Sequence, residues 1–337
     1  MAIIEEDLHV WVNRQLVDAG EDLVLKVVPL RQEASFRQYF RLVRKTDSLV
    51  GVFSPPNKES NKKFLFFSKF LKENQVRVPE VIFYNLEMGF IVLEDFGNKL
   101  YQFELNRKNA HSLYAAALDE MIAIQKSKSQ KLSVLSYEKA IQQILLFEEW
   151  FLRGFLDVSL KEGEYNLLKE SYHTILKTFF EQPQVLCHFD FEARNIMVLE
   201  DGCAGILDFQ DAIIGPIFLD PVSLFKDLDH VWDPKELEEL LNYYILKANK
   251  AGILPSVDEA TAKRWFDLAG LQRQLRILGT LSRLHLRDGK PYRLIDLKQT
   301  LLYAIEASSR YEDLKKLAIL LQNRILPALE LKMKSNP

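Results

Sequence analysis

Three polar side chains near the middle of the chain carry the chemistry that its sequence offers. Asp190 and Asn195 lie five residues apart in HFDFEARN, residues 188–195, and Asp208 follows thirteen residues later in ILDFQDA, residues 206–212. A carboxylate such as Asp190 can accept the proton of an attacking hydroxyl. A second carboxylate and an amide oxygen are hard ligands of the kind that Mg²⁺ prefers when it accompanies phosphate groups. The expected chemistry is phosphoryl transfer to an alcohol, with Asp190 as base and Asn195 and Asp208 as metal ligands. An isolated DxxxxN carries little weight, because a loop aspartate is ordinarily solvated or a cap. The weight comes from three spaced groups in one order.

The residues between them explain how they converge. IMVL at 196–199 and CAGIL at 203–207 are apolar runs separated by Glu200, Asp201 and Gly202, which predicts two short strands and a turn. That hairpin carries Asn195 at its beginning and Asp208 at its end, on the same side of one ribbon. His188 is expected to support the loop backbone rather than to react.

A chain of 337 residues exceeds the usual size of one core and suggests two lobes. The two cysteines, Cys187 and Cys203, are too few for a disulfide framework and read as small core residues in a reducing cytoplasm. The start, MAIIEEDLHVW, lacks the basic and long apolar regions of a signal peptide, so no export is expected. No apolar stretch reaches the roughly 20 residues that span a bilayer. With a formal net charge of −3, the lysine clusters at 58–72 and 126–131 read as solvated faces, which argues against a nucleic-acid partner. A cytoplasmic monomer, with no membrane association, is the expectation.

Along the chain, residues 5–18 have helical spacing, with Leu8, Val10, Trp11 and Leu16 as candidate core positions. Strands are expected at 23–30, 36–44 and 48–53, a helix at 61–74 with Phe64, Phe67 and Leu71 inward, and two more strands at 80–85 and 90–96 that run into Gly97. Helical patterns then dominate near 110–127, 137–157, 163–180, 235–250, 259–286 and 297–333, interrupted by the hairpin. The fold class is α+β and bilobal: a small, mainly β lobe over residues 1–97 and a larger, mainly helical one over 98–337.

These segments resemble the aminoglycoside phosphotransferase and choline kinase superfamily, whose fold is similar to that of protein kinases. HFDFEARN and LDFQDA stand where protein kinases have HRDxxxxN and DFG. ASFRQYFRL at 34–42, SPP at 54–56, VLEDFG at 92–97, FEEWFL at 147–152, GILDFQDAIIGPIFLDPVSLFKD at 205–227 and FDLAGLQRQLRILGTLSRLHLRDGK at 266–290 point to a narrower group, the bacterial anomeric kinases of N-acetylmuramate and N-acetylglucosamine. The resemblance implies ATP and Mg²⁺ as cofactors and an amino sugar as the small-molecule partner, phosphorylated to its α-1-phosphate in cell-wall recycling. It also implies that the backbone around Leu93, Glu94, Asp95 and Phe96 meets the adenine edge.

Two departures from protein kinases stand out. The third strand, SLVGVFSPP, has no lysine for the ATP phosphates, and EASFRQYF lacks the glycines of a phosphate-covering loop. Ser35 with its neighbouring N–H groups, and Arg37 or less readily Arg41, are the candidates for that duty. Arg194 and Asp211 are candidates for substrate contact, against ordinary roles supporting their loops. Glu149, Trp150, Gln272, Arg273 and Arg276 are candidates for the sugar pocket, although Trp150 is also a natural core residue and the 272–283 helix a natural structural one. Asp220 is expected to brace the catalytic loop. The competing readings are a kinase of aminoglycosides or other small molecules, which favours a strongly acidic cleft, and a non-catalytic pseudokinase, which the missing lysine keeps open and the retained Asp190, Asn195 and Asp208 oppose.

Overall fold

The computed structural model describes residues 2–30, 36–291 and 293–335. Ser35 lies outside the described residues. Two compact units are distinguished, one holding residues up to 124 together with 194–212, the other 125–193 and 213 onward.

In the first unit, β1 (Lys26–Pro29), β2 (Gln38–Val43), β3 (Ser48–Phe53), β4 (Val81–Asn85) and β5 (Phe90–Glu94) form an antiparallel sheet in the order β1-β2-β3-β5-β4. Helix α1 (Ala2–Ala19) packs Leu8, Val12 and Leu16 against Phe40, Leu42, Leu49, Phe90 and Val92 of the sheet. The buried positions therefore run at i, i+4 and i+8. Val10, expected inside, is 67% exposed because it lies off that stripe, and Trp11 is only partly buried. Helix α2 (Asn61–Glu73) buries Phe64, Phe67 and Leu71 as their spacing predicts. Helices α3 (Tyr101–Glu104) and α4 (Ala110–Lys126) follow the sheet.

The hairpin in this unit consists of β7 (Ile196–Val198) and β8 (Ala204–Ile206), with Ile196 opposite Ile206. Its outer N–H groups are also paired: Val198 donates to the Lys99 carbonyl at 2.7 Å and Ile206 to that of Arg77 at 2.8 Å. A ribbon of three-residue strands is marginal alone, and these bonds anchor both edges. At the turn, Asp201 accepts the N–H of Cys203 at 3.0 Å. Cys203 is exposed there, contrary to its reading as a core residue, whereas Cys187 is buried.

The second unit is mainly helical. Strand β6 (Gln184–Cys187) pairs antiparallel with β9 (Ile213–Pro216), a short ribbon beyond those the sequence suggested. Its helices are α5 (Tyr137–Leu146), α6 (Glu162–Glu181), α7 (Leu219–Phe225), α8 (Pro234–Lys250), α9 (Glu259–Asp288), α10 (Leu297–Ser309), α11 (Lys315–Leu320) and α12 (Leu326–Ser335). The expected helix over 137–157 loosens after Leu146 into wider π-type turns over Phe147–Phe155, which bury Phe147, Phe151 and Phe155. The expected continuous helix over 297–333 is broken. Arg310 and Tyr311 both turn to the buried Asp267 carboxylate, at 2.8 Å each, and Tyr311 is extended with φ −120°. Burying that carboxylate with its partners outweighs propagation of the helix. No helix among the described residues is long and apolar enough to cross a membrane.

Candidate functional site

The loop that carries Asp190 starts where β6 ends. Phe189 has φ +82°, a conformation costly for a bulky side chain, by about 1–3 kcal/mol. The fully buried Asp220, at the start of α7, holds it: its carboxylate accepts the N–H of His188 at 2.7 Å and that of Phe189 at 3.0 Å. Burial pushes Asp220 up to about 6, against the opposing pull of His188 and the two N–H groups. Further along the loop, Asp227 accepts the N–H of Ala193 at 2.8 Å. Burial and then the nearby Glu192 raise Asp227 above the ordinary carboxylate range. His188 is buried and turns its ring edge-on to Phe191, in keeping with a supporting role.

Helix α9 meets the same loop. Arg273 and Arg276 are one turn apart and share a face. Arg273 is buried and donates to Glu192 Oε1 at 2.5 Å and to Ser223 Oγ at 2.8 Å. The Arg276 guanidinium lies 4.4 Å from the centroid of the Phe189 ring and 4.0 Å from Asp190 Oδ1. Gln272 is buried and donates to Gln143 at 3.1 Å. The polar ends of Gln272 and Arg273 are thus engaged by protein groups. Glu149 is exposed and Trp150 half-buried in the π-type segment, so Trp150 is not the core residue its size suggests.

In the first unit, the two expected metal ligands sit at the open end of the hairpin. Leu207 donates its N–H to the Asn195 carbonyl at 2.9 Å, so the ladder continues one step beyond the strands and brings the two chain ends together. Asn195 is buried and Asp208 exposed, with φ +59°, a conformation that aspartate tolerates better than most residues. Gln210 donates to Asp208 Oδ1 at 2.6 Å. Phe209 is buried and stacks on Phe64 of α2 at 5.2 Å, fixing the loop to that helix. Lys63, one of the lysines read as merely solvated, reaches Asp211 Oδ1 at 3.0 Å, and both side chains are exposed. No periodic signal in the sequence marks this pair. Arg194 is half-buried in the short turn Ala193–Asn195.

A carboxylate and an amide suit Mg²⁺, which takes few protein ligands and completes its shell with phosphate and water. Among the described residues no group of three or more His, Cys, Asp or Glu side chains could hold a metal ion alone. The donor set fits an ion that arrives with a nucleotide.

The segment expected at the adenine edge is held by one network. Asp95 accepts from Arg41 Nε at 2.6 Å and Nη2 at 3.1 Å, from Ser48 Oγ at 2.7 Å and from the Gly97 N–H at 2.9 Å. Burial opposes ionisation of Asp95, but these donors outweigh it and hold the carboxyl below its ordinary range. Arg41 is therefore committed to this segment. Leu93 is buried in β5, Glu94 pairs with Arg77 at 3.1 Å, and Phe96 covers Gly205, where a Cβ would stand 2.5 Å from the ring. Arg37, the other candidate at the phosphates, is buried and bonded to Ser54 Oγ and Glu59, each at 3.2 Å.

Residues 26–259 match the phosphotransferase enzyme family. The chain is 34% identical over 327 residues to the N-acetylmuramate/N-acetylglucosamine kinase of Pseudomonas aeruginosa, covering 94% of this chain and 95% of that one. It is 35% identical over 297 residues to the protein of the same name from Neisseria meningitidis serogroup B, covering 86% and 87%. The crystal structure of the choline kinase LicA from Streptococcus pneumoniae superposes with a TM-score of 0.62 at 13% identity, covering 90% of this chain and 100% of that one. The ADP-bound aminoglycoside phosphotransferase APH(2'')-Ib gives 0.58 at 16% identity, covering 89% and 98%. The architecture is the protein-kinase-like fold of these neighbours.

Proposed function

The chain belongs to the phosphotransferase enzyme family, and from that premise we propose that it is an ATP-dependent sugar kinase, phosphorylating the anomeric hydroxyl of N-acetylmuramate, N-acetylglucosamine or both to the α-1-phosphate in peptidoglycan recycling. The observation that carries this reading is the 34% identity, over nearly the whole chain, to a kinase named for those two sugars.

Asp190 accepts the proton of the sugar hydroxyl as its oxygen meets the phosphoryl group. Asn195 and Asp208 hold Mg²⁺, which when bound neutralises charge on the phosphate oxygens. The Leu93–Phe96 backbone receives the adenine. Arg273 and Asp227 brace the catalytic loop, and Glu149, Trp150 and Gln272 remain our candidates for the sugar side. Phosphoryl transfer asks a protein mainly for alignment and charge compensation, and a loop tied down at His188, Phe189 and Ala193 supplies the first. The anomeric hydroxyl is more acidic than other sugar hydroxyls, because the ring oxygen withdraws electron density from its carbon, so a carboxylate is base enough. We further propose that the enzyme works in the cytoplasm as a monomer.

The test supplies the purified protein with ATP, Mg²⁺ and, separately, N-acetylglucosamine, N-acetylmuramate, the methyl glycoside of N-acetylglucosamine and an aminoglycoside. We expect a 1-phosphate by NMR from a free sugar and no turnover of the methyl glycoside. Rapid phosphorylation of the methyl glycoside or the aminoglycoside, with the free sugars untouched, would overturn the assignment.

A further inference from the structure

We propose that Arg276 is a positioning residue for the transfer: from α9 its guanidinium, seated on the Phe189 ring, orients the Asp190 carboxylate toward the acceptor hydroxyl. The inference rests on the sugar-kinase reading for its acceptor but not for its geometry. Three observations meet at this side chain.

The first is where the charges lie. The Arg276 side chain keeps only 14% of its exposure while that of Asp190 keeps 38%, so the cation is the more withdrawn of the two. At 4.0 Å the pair is longer than a hydrogen bond, so Arg276 acts on the carboxylate through its charge.

The second is that Arg276, unlike Arg273, donates no hydrogen bond to a described residue. Its neighbour Arg273 spends its donors on Glu192 and Ser223. Among the described residues Arg276 makes no hydrogen bond, and its contacts are the Phe189 face and the Asp190 charge. Burial pulls its pKa down, and Asp190 is the largest of the groups that oppose this. Arginine stays protonated regardless.

The third is the strained backbone. The positive φ of Phe189, enforced by Asp220, sets its ring beneath the guanidinium, 4.4 Å from it. The Phe189 backbone is thereby held from α7, while its ring and the Asp190 carboxylate both face Arg276 of α9. Asp190 acts on both Asp220 and Arg276; His188 also acts on Asp220, and Glu192 and Arg273 on Arg276.

The experiment compares wild type, Arg276→Met and Arg276→Lys in steady-state kinetics on whichever hydroxyl acceptor the wild type phosphorylates, so that failure of the sugar assignment and failure of this one are read separately. The methionine fills the space without charge, and kcat should fall about 100-fold while KM for ATP stays within about twofold, the loss expected when a reacting group is misplaced by about 1 Å. The lysine, which restores the charge, should recover most of that loss. A folded Met variant with wild-type kcat, or equal loss of kcat and ATP affinity in both variants, would overturn the proposal. If the Met variant does not fold, Phe189→Leu decides: it removes the seat of the guanidinium but neither charge, so lowered kcat with unchanged KM for ATP supports the role and wild-type kcat refutes it.

Discussion

The Asp220 carboxylate accepts the backbone N–H of His188 at 2.7 Å, from 32 residues further along the chain. With the second bond to Phe189 it ties two consecutive peptide units of the Asp190 loop to the start of a buried helix. The loop is thereby held in a strained conformation that its own side chains disfavour.

Asp220 should leave a mark on the pH dependence of stability. Its folded pKa, raised by burial to about 6, lies above the ordinary carboxylate value. Between the two, the folded protein binds more protons than the unfolded one. The associated stability is fully present below about pH 4 and is lost as pH rises through about 6, a contribution on the order of 3 kcal/mol. Thermal melts of wild type and Asp220→Asn across pH 4–7 should therefore show the wild type's advantage shrinking as pH rises. A constant difference between the two would refute the shift.

Asp190→Asn keeps the shape of the base and removes its proton acceptor. We expect kcat to fall by about 10² to 10⁴, the usual range for a general base, with an unchanged melting temperature and unchanged nucleotide binding. A folded variant with near-normal turnover would exclude Asp190 as base.

Asp208→Ala should fail differently. With the exposed carboxylate at the hairpin end removed, ADP binding measured by calorimetry should lose most of its dependence on Mg²⁺, while binding without the metal changes little. Undiminished Mg²⁺ dependence would move the metal elsewhere.

Gly279→Ala tests the packing that carries Arg276. A Cβ at this position of α9 would stand 2.3 Å from the carbonyl carbon of Leu146, where α5 gives way to the π-type turns. Backbone cannot step aside as a flexible side chain does, so the cost should reach or exceed the ~3 kcal/mol at the upper end for overpacking. A melting temperature lower by roughly 5 °C or more is the expected readout.

Local structure was readable from the chain alone. The hairpin that runs from Asn195 to Asp208, the sheet strands and the long α9 all follow from apolar period, turn residues and motif spacing, properties that act over a few residues. What the spacing left open was set by contacts between distant segments. Val10 faces outward because the sheet selects the Leu8–Val12–Leu16 stripe of α1, and the helix after Ser309 breaks because Arg310 and Tyr311 must reach Asp267 on α9. Arg41 is drawn to Asp95, Arg273 to Glu192, and Arg276 to Phe189 and Asp190, partners 54, 81 and more than 80 residues away in sequence. Arginines in a run such as GLQRQLR look alike as sequence. Only burial, which makes each charge find a specific counter-charge or aromatic face, separates a brace from a positioning residue.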